Sequence, residues 1–91
     1  MAVFALKARV WGVVQGVGFR AYARSLANSL SLSGYAKNLP DGSVEIFVQG
    51  KRESIDAFIS HIKNAPPPIL VQKISTQEVK PDETVKGFKI L

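Results

Sequence analysis

Gly34-Tyr35-Ala36-Lys37-Asn38-Leu39-Pro40-Asp41-Gly42-Ser43-Val44-Glu45-Ile46-Phe47-Val48-Gln49-Gly50 occupies the middle of the chain, and its reading decides the architecture. Pro40-Asp41-Gly42 is a turn: proline presets φ, aspartate bonds locally and glycine permits positive φ. Residues 34–38 and 43–50 on either side read as paired strands, the second with Val44, Ile46 and Val48 on one face. Before this hairpin, after a break at Ser31 to Gly34, Tyr22, Ala23, Leu26, Ala27 and Leu30 recur at helical spacing and predict a helix over 21–31. Beyond it, Ile55, Phe58, Ile59 and Ile62 predict a second helix over 52–63.

Further out, residues 4–12 alternate, with Phe4, Leu6, Ala8 and Val10 on one face and Ala5, Lys7, Arg9 and Trp11 on the other. That is a strand, ended by Gly12. Ala65-Pro66-Pro67-Pro68 cannot continue the second helix, and residues 69–79, rich in Val, Ile and Thr, form a long strand. Lys80-Pro81-Asp82-Glu83 is a loop, and Phe88-Lys89-Ile90 a short last strand. The order β-α-β-β-α-β plus a short final strand is the α+β, ferredoxin-like split βαβ sandwich. The expected form is a single domain over residues 1–91, with two helices on one face of an antiparallel sheet.

The composition, 46% hydrophobic and 21% charged, is that of a soluble globule rather than a disordered chain. Cysteine is absent, which removes disulfide scaffolds, thiol nucleophiles and iron–sulfur clusters together. No apolar run approaches the ~20 residues that span a bilayer. No basic segment precedes the first apolar residues, so no signal peptide is read and the expected location is cytoplasmic.

Charge is distributed unevenly. Residues 1–40 hold Lys7, Arg9, Arg20, Arg24 and Lys37 and no acid; the later residues sum to zero, so the net charge of +5 belongs to the first half. An anionic partner is expected there. Phosphate compounds, nucleic acid and anionic lipid all qualify, and so does a basic face that merely keeps the chain in solution.

The inventory for catalysis is sparse. The single histidine, His61, lies on the second helix beside its apolar stripe and reads as a surface or packing residue. The acids have no metal-ligand spacing, so neither metal nor cofactor is expected. No serine sits in a nucleophile-elbow pattern. The segment Val14-Gln15-Gly16-Val17-Gly18-Phe19-Arg20 stands out. A glycine-containing loop that follows a strand and opens into a helix leaves backbone N–H groups unpaired at the positive end of the helix dipole. Arg20 offers a planar fork suited to phosphate oxygens. The segment reads either as a phosphate cradle or as a tight turn with an exposed arginine. Asn38, just before the turn, is either a turn-former or an amide able to hold a water.

One chemistry needs no more than this. An acyl phosphate has a carboxylate leaving group that departs without a general acid. Phosphoryl transfer is largely dissociative, so positioning and charge stabilisation suffice. Backbone N–H groups and one arginine would hold the phosphate, and one asparagine would align water.

Gly12-Val13-Val14-Gln15-Gly16-Val17-Gly18-Phe19-Arg20 and Gly34-Tyr35-Ala36-Lys37-Asn38-Leu39-Pro40-Asp41-Gly42-Ser43-Val44-Glu45 resemble the acylphosphatase family, as do Pro66-Pro67 and Gly87-Phe88-Lys89-Ile90. The resemblance covers essentially the whole chain. Ala65, where many members have glycine, and the added Pro68 depart from it in a connection, away from the two motifs. It implies a ferredoxin-like fold and metal-free, cofactor-free hydrolysis of acyl phosphates to a carboxylate and phosphate. It assigns phosphoryl binding to Arg20, orientation of the attacking water to Asn38, and main-chain phosphate binding to Gln15, Gly16, Val17, Gly18 and Phe19. Inorganic phosphate is then the product and a competitive ligand, and the chain is expected to be a monomer with no membrane partner. Similar domains are embedded in larger proteins, such as a hydrogenase-maturation carbamoyl-transfer factor; a free-standing enzyme is the expectation here.

Two other readings stand beside this one. RNA-recognition modules share the element order, and Lys86-Gly87-Phe88 copies the start of one of their segments. That tripeptide falls on the final strand, and the third strand offers only Phe47, so nucleic acid is disfavoured. A phosphate-binding domain without turnover is the third reading.

Overall fold

Phe4–Val13 forms β1, the strand on which the rest of the molecule is hung. The structure is a computed structural model and describes residues 3–91. After β1 come α1 (Phe19–Ser29), β2 (Ser33–Asn38), β3 (Val44–Gly50), α2 (Arg52–Lys63), β4 (Leu70–Val79) and β5 (Phe88–Ile90). The sheet order is β4-β1-β3-β2-β5. β1 pairs antiparallel with β3 and β4, and β2 pairs antiparallel with β3 through the Pro40–Gly42 turn.

Both helices cover one face. The alternation in the strands turns Val10, Val44, Ile46 and Val48 inward, each fully buried. They meet Phe19, Ala23 and Ala27 of α1 and Ile55, Phe58 and Ile62 of α2. Ala23 and Ala27 are one turn apart, and their small side chains let α1 approach the sheet closely. Burying a large apolar side chain such as Phe58 contributes about 1.5–3 kcal/mol.

β1 runs on through Gly12, where it was expected to end, to Val13, which pairs with Leu70. Two larger features also differ from the sequence expectations. First, α1 runs over 19–29 rather than 21–31. Gly18, at φ 79, turns the chain into the helix, and the Phe19 ring enters the core at once, which ties down the first turn. At the other end Ser31 takes a left-handed φ of 57; Ser31 N–H donates to Asn28 O and Leu32 N–H to Ala27 O. This double bond pattern closes a helix.

Second, the sheet is mixed rather than antiparallel, because β5 runs parallel to β2, with Gly34 opposite Phe88 and Ala36 opposite Ile90. The cause lies at the far end of the sheet. β4 lies on one edge and ends there, and the 80–87 segment must cross to the opposite edge. The buried Gln49 side chain catches it: Nε2 donates to Asp82 O at 2.8 Å and Val85 O at 3.3 Å, and Asp82 N–H donates to Oε1 at 2.8 Å. From that end only an upward, parallel course remains. β5 therefore covers the otherwise open edge of β2 and delivers Leu91 to the end where β1 and β2 terminate.

Candidate active site

The ends of β1 and β2, the start of β3 and the end of β5 meet at one end of the sheet, and the residues singled out in the sequence meet there too. The 14–18 loop leaves β1 and enters α1. Gly16 and Gly18 take φ 74 and 79, and nothing lies within 4 Å of a Cβ built on either. Glycine is required at these positions by backbone conformation and not by crowding. Left-handed residues set one apart turn successive amides toward a common side, which makes a concavity for anions. Among the described residues, no carbonyl or side chain accepts from the amides of residues 15–21; the first bond into α1 is Tyr22 N–H to Gly18 O at 3.0 Å. No acid stands in the first turn of α1 and no side chain caps it. The positive end of the helix dipole is left for a ligand.

Phe19 and Arg20 were expected in the loop; both stand in the first turn of α1. The Phe19 side chain belongs to the core, so only its amide faces the loop. Arg20 Nη1 donates to Leu91 O at 3.1 Å, which holds the guanidinium against the β5 end. A depression of about 170 Å3 is lined by Gly16, Gly18, Phe19, Arg20 and Ala21, with Ile90 across from them. A larger hollow of about 770 Å3 lies at the opposite end of the sheet, around Gln49 and Gly50, and contains none of the candidate residues.

Asn38 is the last residue of β2, opposite Val44. Its Oδ1 is buried and has no hydrogen-bond partner among the described residues, the one buried side-chain atom of which this is so. Such an atom costs about 1–3 kcal/mol when left without a donor, so its retention calls for a reason. The turn after it is braced twice. Gln15 Nε2 donates to Leu39 O and to Ser43 O, both at 2.9 Å. From the outer face of the sheet, Arg9 pairs with Asp41 at 2.6 Å and donates from Nε to Ser43 Oγ at 3.0 Å. Asp41 Oδ1 accepts from both the amide and the hydroxyl of the fully buried Ser43. These bonds, with the Arg9 charge, bring the Asp41 carboxyl down to about 2.

The sequence reading missed four members of this assembly: Arg9, Ser43, Leu91 and the side chain of Gln15. Asp41-Gly42-Ser43 did carry a signal, since an aspartate bonding the amide two residues on is a common turn device. Arg9 and Leu91 carried none, because their partners lie 32 and 71 residues away. His61 is exposed on α2, as expected. Among the described residues no three His, Asp or Glu side chains lie together as metal ligands would, and no helix is long and apolar enough to cross a membrane. Phe88, the aromatic of the RNA-like tripeptide, is buried in the core beside Phe58, with ring centres 6.3 Å apart. Phe47 is nearly buried and stacks on Tyr35. Neither ring is free to stack on a base.

Comparison with known proteins bears on the family and the fold. The acylphosphatase family model matches residues 6–90. The chain is 44% identical over 85 residues to an acylphosphatase of Thermus thermophilus, covering 93% of this chain and 96% of that one. The crystal structure of acylphosphatase from Bacillus subtilis superposes with a TM-score of 0.91 at 35% identity, covering 97% of this chain and 98% of that one. T. kodakarensis HypF superposes with a TM-score of 0.84 at 36% identity, but this chain spans only 12% of it. With the family model matched almost end to end, near full-length relatives of the same kind and the same fold, the chain belongs to the acylphosphatase family.

Proposed function

We propose that the chain hydrolyses acyl phosphates, that the amides of residues 15–19 and the Arg20 guanidinium hold the phosphoryl group, and that Asn38 orients the attacking water. Family membership supports the substrate class. The free amides at the head of α1 support phosphate binding, since their partial positive charge meets three phosphoryl oxygens at once.

The observation that carries the assignment is the buried, unpartnered Oδ1 of Asn38. An amide oxygen accepts a hydrogen bond from water and leaves a lone pair of that water free to point at phosphorus. It is too weak a base to take the proton away. A dissociative transition state asks for no more, because the bond to the leaving group is largely broken before the new one forms. The water oxygen forms a bond to phosphorus, the bond from phosphorus to the acyl oxygen breaks, and the carboxylate leaves with the electron pair. The water proton passes to the phosphate formed or to solvent. Because the leaving carboxylate is a weak base, neither a general acid nor a metal is called for by this chemistry.

The test is hydrolysis of acetyl phosphate in excess chelator by the wild type, Arg20→Ala and Asn38→Ala. Turnover that persists with chelator in the wild type and collapses in both variants is expected. A folded wild type without turnover would overturn the reading, and turnover abolished by chelator would overturn its metal-independence.

A further inference from the structure

The structure assigns Gln15 a positioning role: its side chain sets the distance between the phosphate-holding loop and the turn that carries Asn38. The inference rests on the hydrolase reading above and adds a residue that acts through another. Its ground is the sheet order. β1, which feeds the loop, and β2, which ends in Asn38, are not neighbours; β3 lies between them. Two strand spacings, roughly 9–10 Å, separate their ends. Val10 and Asn38 are both laddered to Val44 of β3, but beyond Val10 β1 pairs only with β4, so no main-chain ladder joins the loop itself to the Asn38 turn and a side chain spans that gap.

Gln15 is placed to do so. Its two amide hydrogens are divided between Leu39 O and Ser43 O, each at 2.9 Å. Leu39 follows Asn38 directly, and Ser43 precedes Val44, the register partner of Asn38. The same two carbonyls also close the turn: Leu39 N–H donates to Ser43 O at 2.8 Å and Gly42 N–H to Leu39 O at 3.1 Å. Each oxygen thus receives two donors, which fills its lone pairs. On its other side Gln15 is followed by Gly16 and the free amides. Arg9 braces the same turn, but from β1 itself, so it does not reach the loop. A shift of the loop by an ångström would misalign water and phosphorus, and errors of that size cost ~10²-fold in rate.

The variants Gln15→Met and Gln15→Glu test this. Methionine keeps the length and loses both donors. Glutamate keeps the shape and sets a carboxylate against two carbonyl oxygens. For acetyl phosphate, Gln15→Met is expected to lower kcat by ~10–100-fold. Inhibition by inorganic phosphate, which reports on the loop and Arg20 and not on Asn38, should change by less than ~3-fold, because the amides that hold phosphate remain free. In an Asn38→Ala background the same change should lower kcat by less than ~2-fold, since the partner it positions is gone. Gln15→Glu should recover relative to the wild type as pH falls toward ~4, where a protonated carboxyl again donates one hydrogen bond. Equal losses of kcat in both backgrounds, or a phosphate inhibition constant that rises as far as kcat falls, would overturn the positioning role and leave the hydrolase reading intact. Absence of turnover in the wild type would overturn both.

Discussion

Arg20 and Leu91, 71 residues apart, are joined by one hydrogen bond from the guanidinium to a main-chain oxygen at 3.1 Å. The bond exists because Gln49 holds the 80–87 segment at the far end of the sheet and so sends β5 up beside β2. Leu91 N–H in turn donates to Ala36 O at 2.9 Å, which continues the pairing of β5 to the site. Arg20 is therefore aimed by the main chain at Leu91, just beyond β5. Removing Leu91 is expected to weaken inorganic phosphate inhibition and raise KM by ~3–10-fold, the net worth of one exposed hydrogen bond. An unchanged KM in a folded, truncated chain would show that Arg20 needs no such brace.

Arg20→Ala removes a phosphate ligand together with charge stabilisation at the transition state. A loss of ~10³-fold in kcat/KM is expected. Arg20→Lys should recover only a small part, because an ammonium cannot bond Leu91 O and grip two phosphoryl oxygens in one plane. Steady-state kinetics on acetyl phosphate decide this, and a lysine variant equal to the wild type would contradict the planar-fork argument.

Asn38→Ala separates the chemical step from binding. Turnover should fall by ~10²-fold or more while the phosphate inhibition constant stays within a few-fold, since a water held at Oδ1 is needed only when the bond to phosphorus forms. The variant should be at least as stable as the wild type in urea, because a buried atom without a donor is removed. A clear loss of stability with unaltered turnover would make Asn38 a turn residue and nothing more.

Gly18→Ala separates backbone strain from steric clash. A Cβ at this position meets nothing, but φ is 79. Left-handed geometry costs a non-glycine residue ~1–2 kcal/mol. A loss of unfolding free energy of that size, read from urea denaturation, is expected, with phosphate binding weakened further if the loop relaxes to negative φ. No change in either would mean that the loop amides already sample other arrangements.

The Asp41 carboxyl titrates near 2 in the folded chain, against 3.8 ordinarily, chiefly through its bonds from Ser43 and then through Arg9. A depressed folded value favours the folded state above pH ~4. As pH falls from there toward 2, the unfolded chain binds the proton first and that contribution is lost. Asp41→Asn should flatten this part of the stability profile, read as urea midpoints between pH 5 and 2. A profile parallel to that of the wild type would show that the carboxylate contributes nothing to acid stability.

Much of this molecule was legible in the chain alone. The alternation over Phe4–Val10 and Val44–Val48, the helical spacing of Ile55, Phe58 and Ile62, and the Pro40-Asp41-Gly42 turn are local patterns, and the burial of Val10, Val44, Ile46, Val48, Ile55, Phe58 and Ile62 follows from them directly, though not that of Ala5 and Phe47 on the other face. Gly16, Gly18, Arg20 and Asn38 could be singled out in the chain, but the local pattern left the loop open between a phosphate cradle and a tight turn, and Asn38 between a turn-former and a water-holding amide; the roles came from the family resemblance. Other features waited on the tertiary structure: the parallel course of β5, the start of α1 at Phe19, the Arg20–Leu91 bond and the reach of Gln15 to Leu39 and Ser43. The reason is physical. A residue's own pattern determines which face it buries, but the identity of a polar partner 24 to 71 residues away depends on how every intervening loop closes, and no local pattern records that.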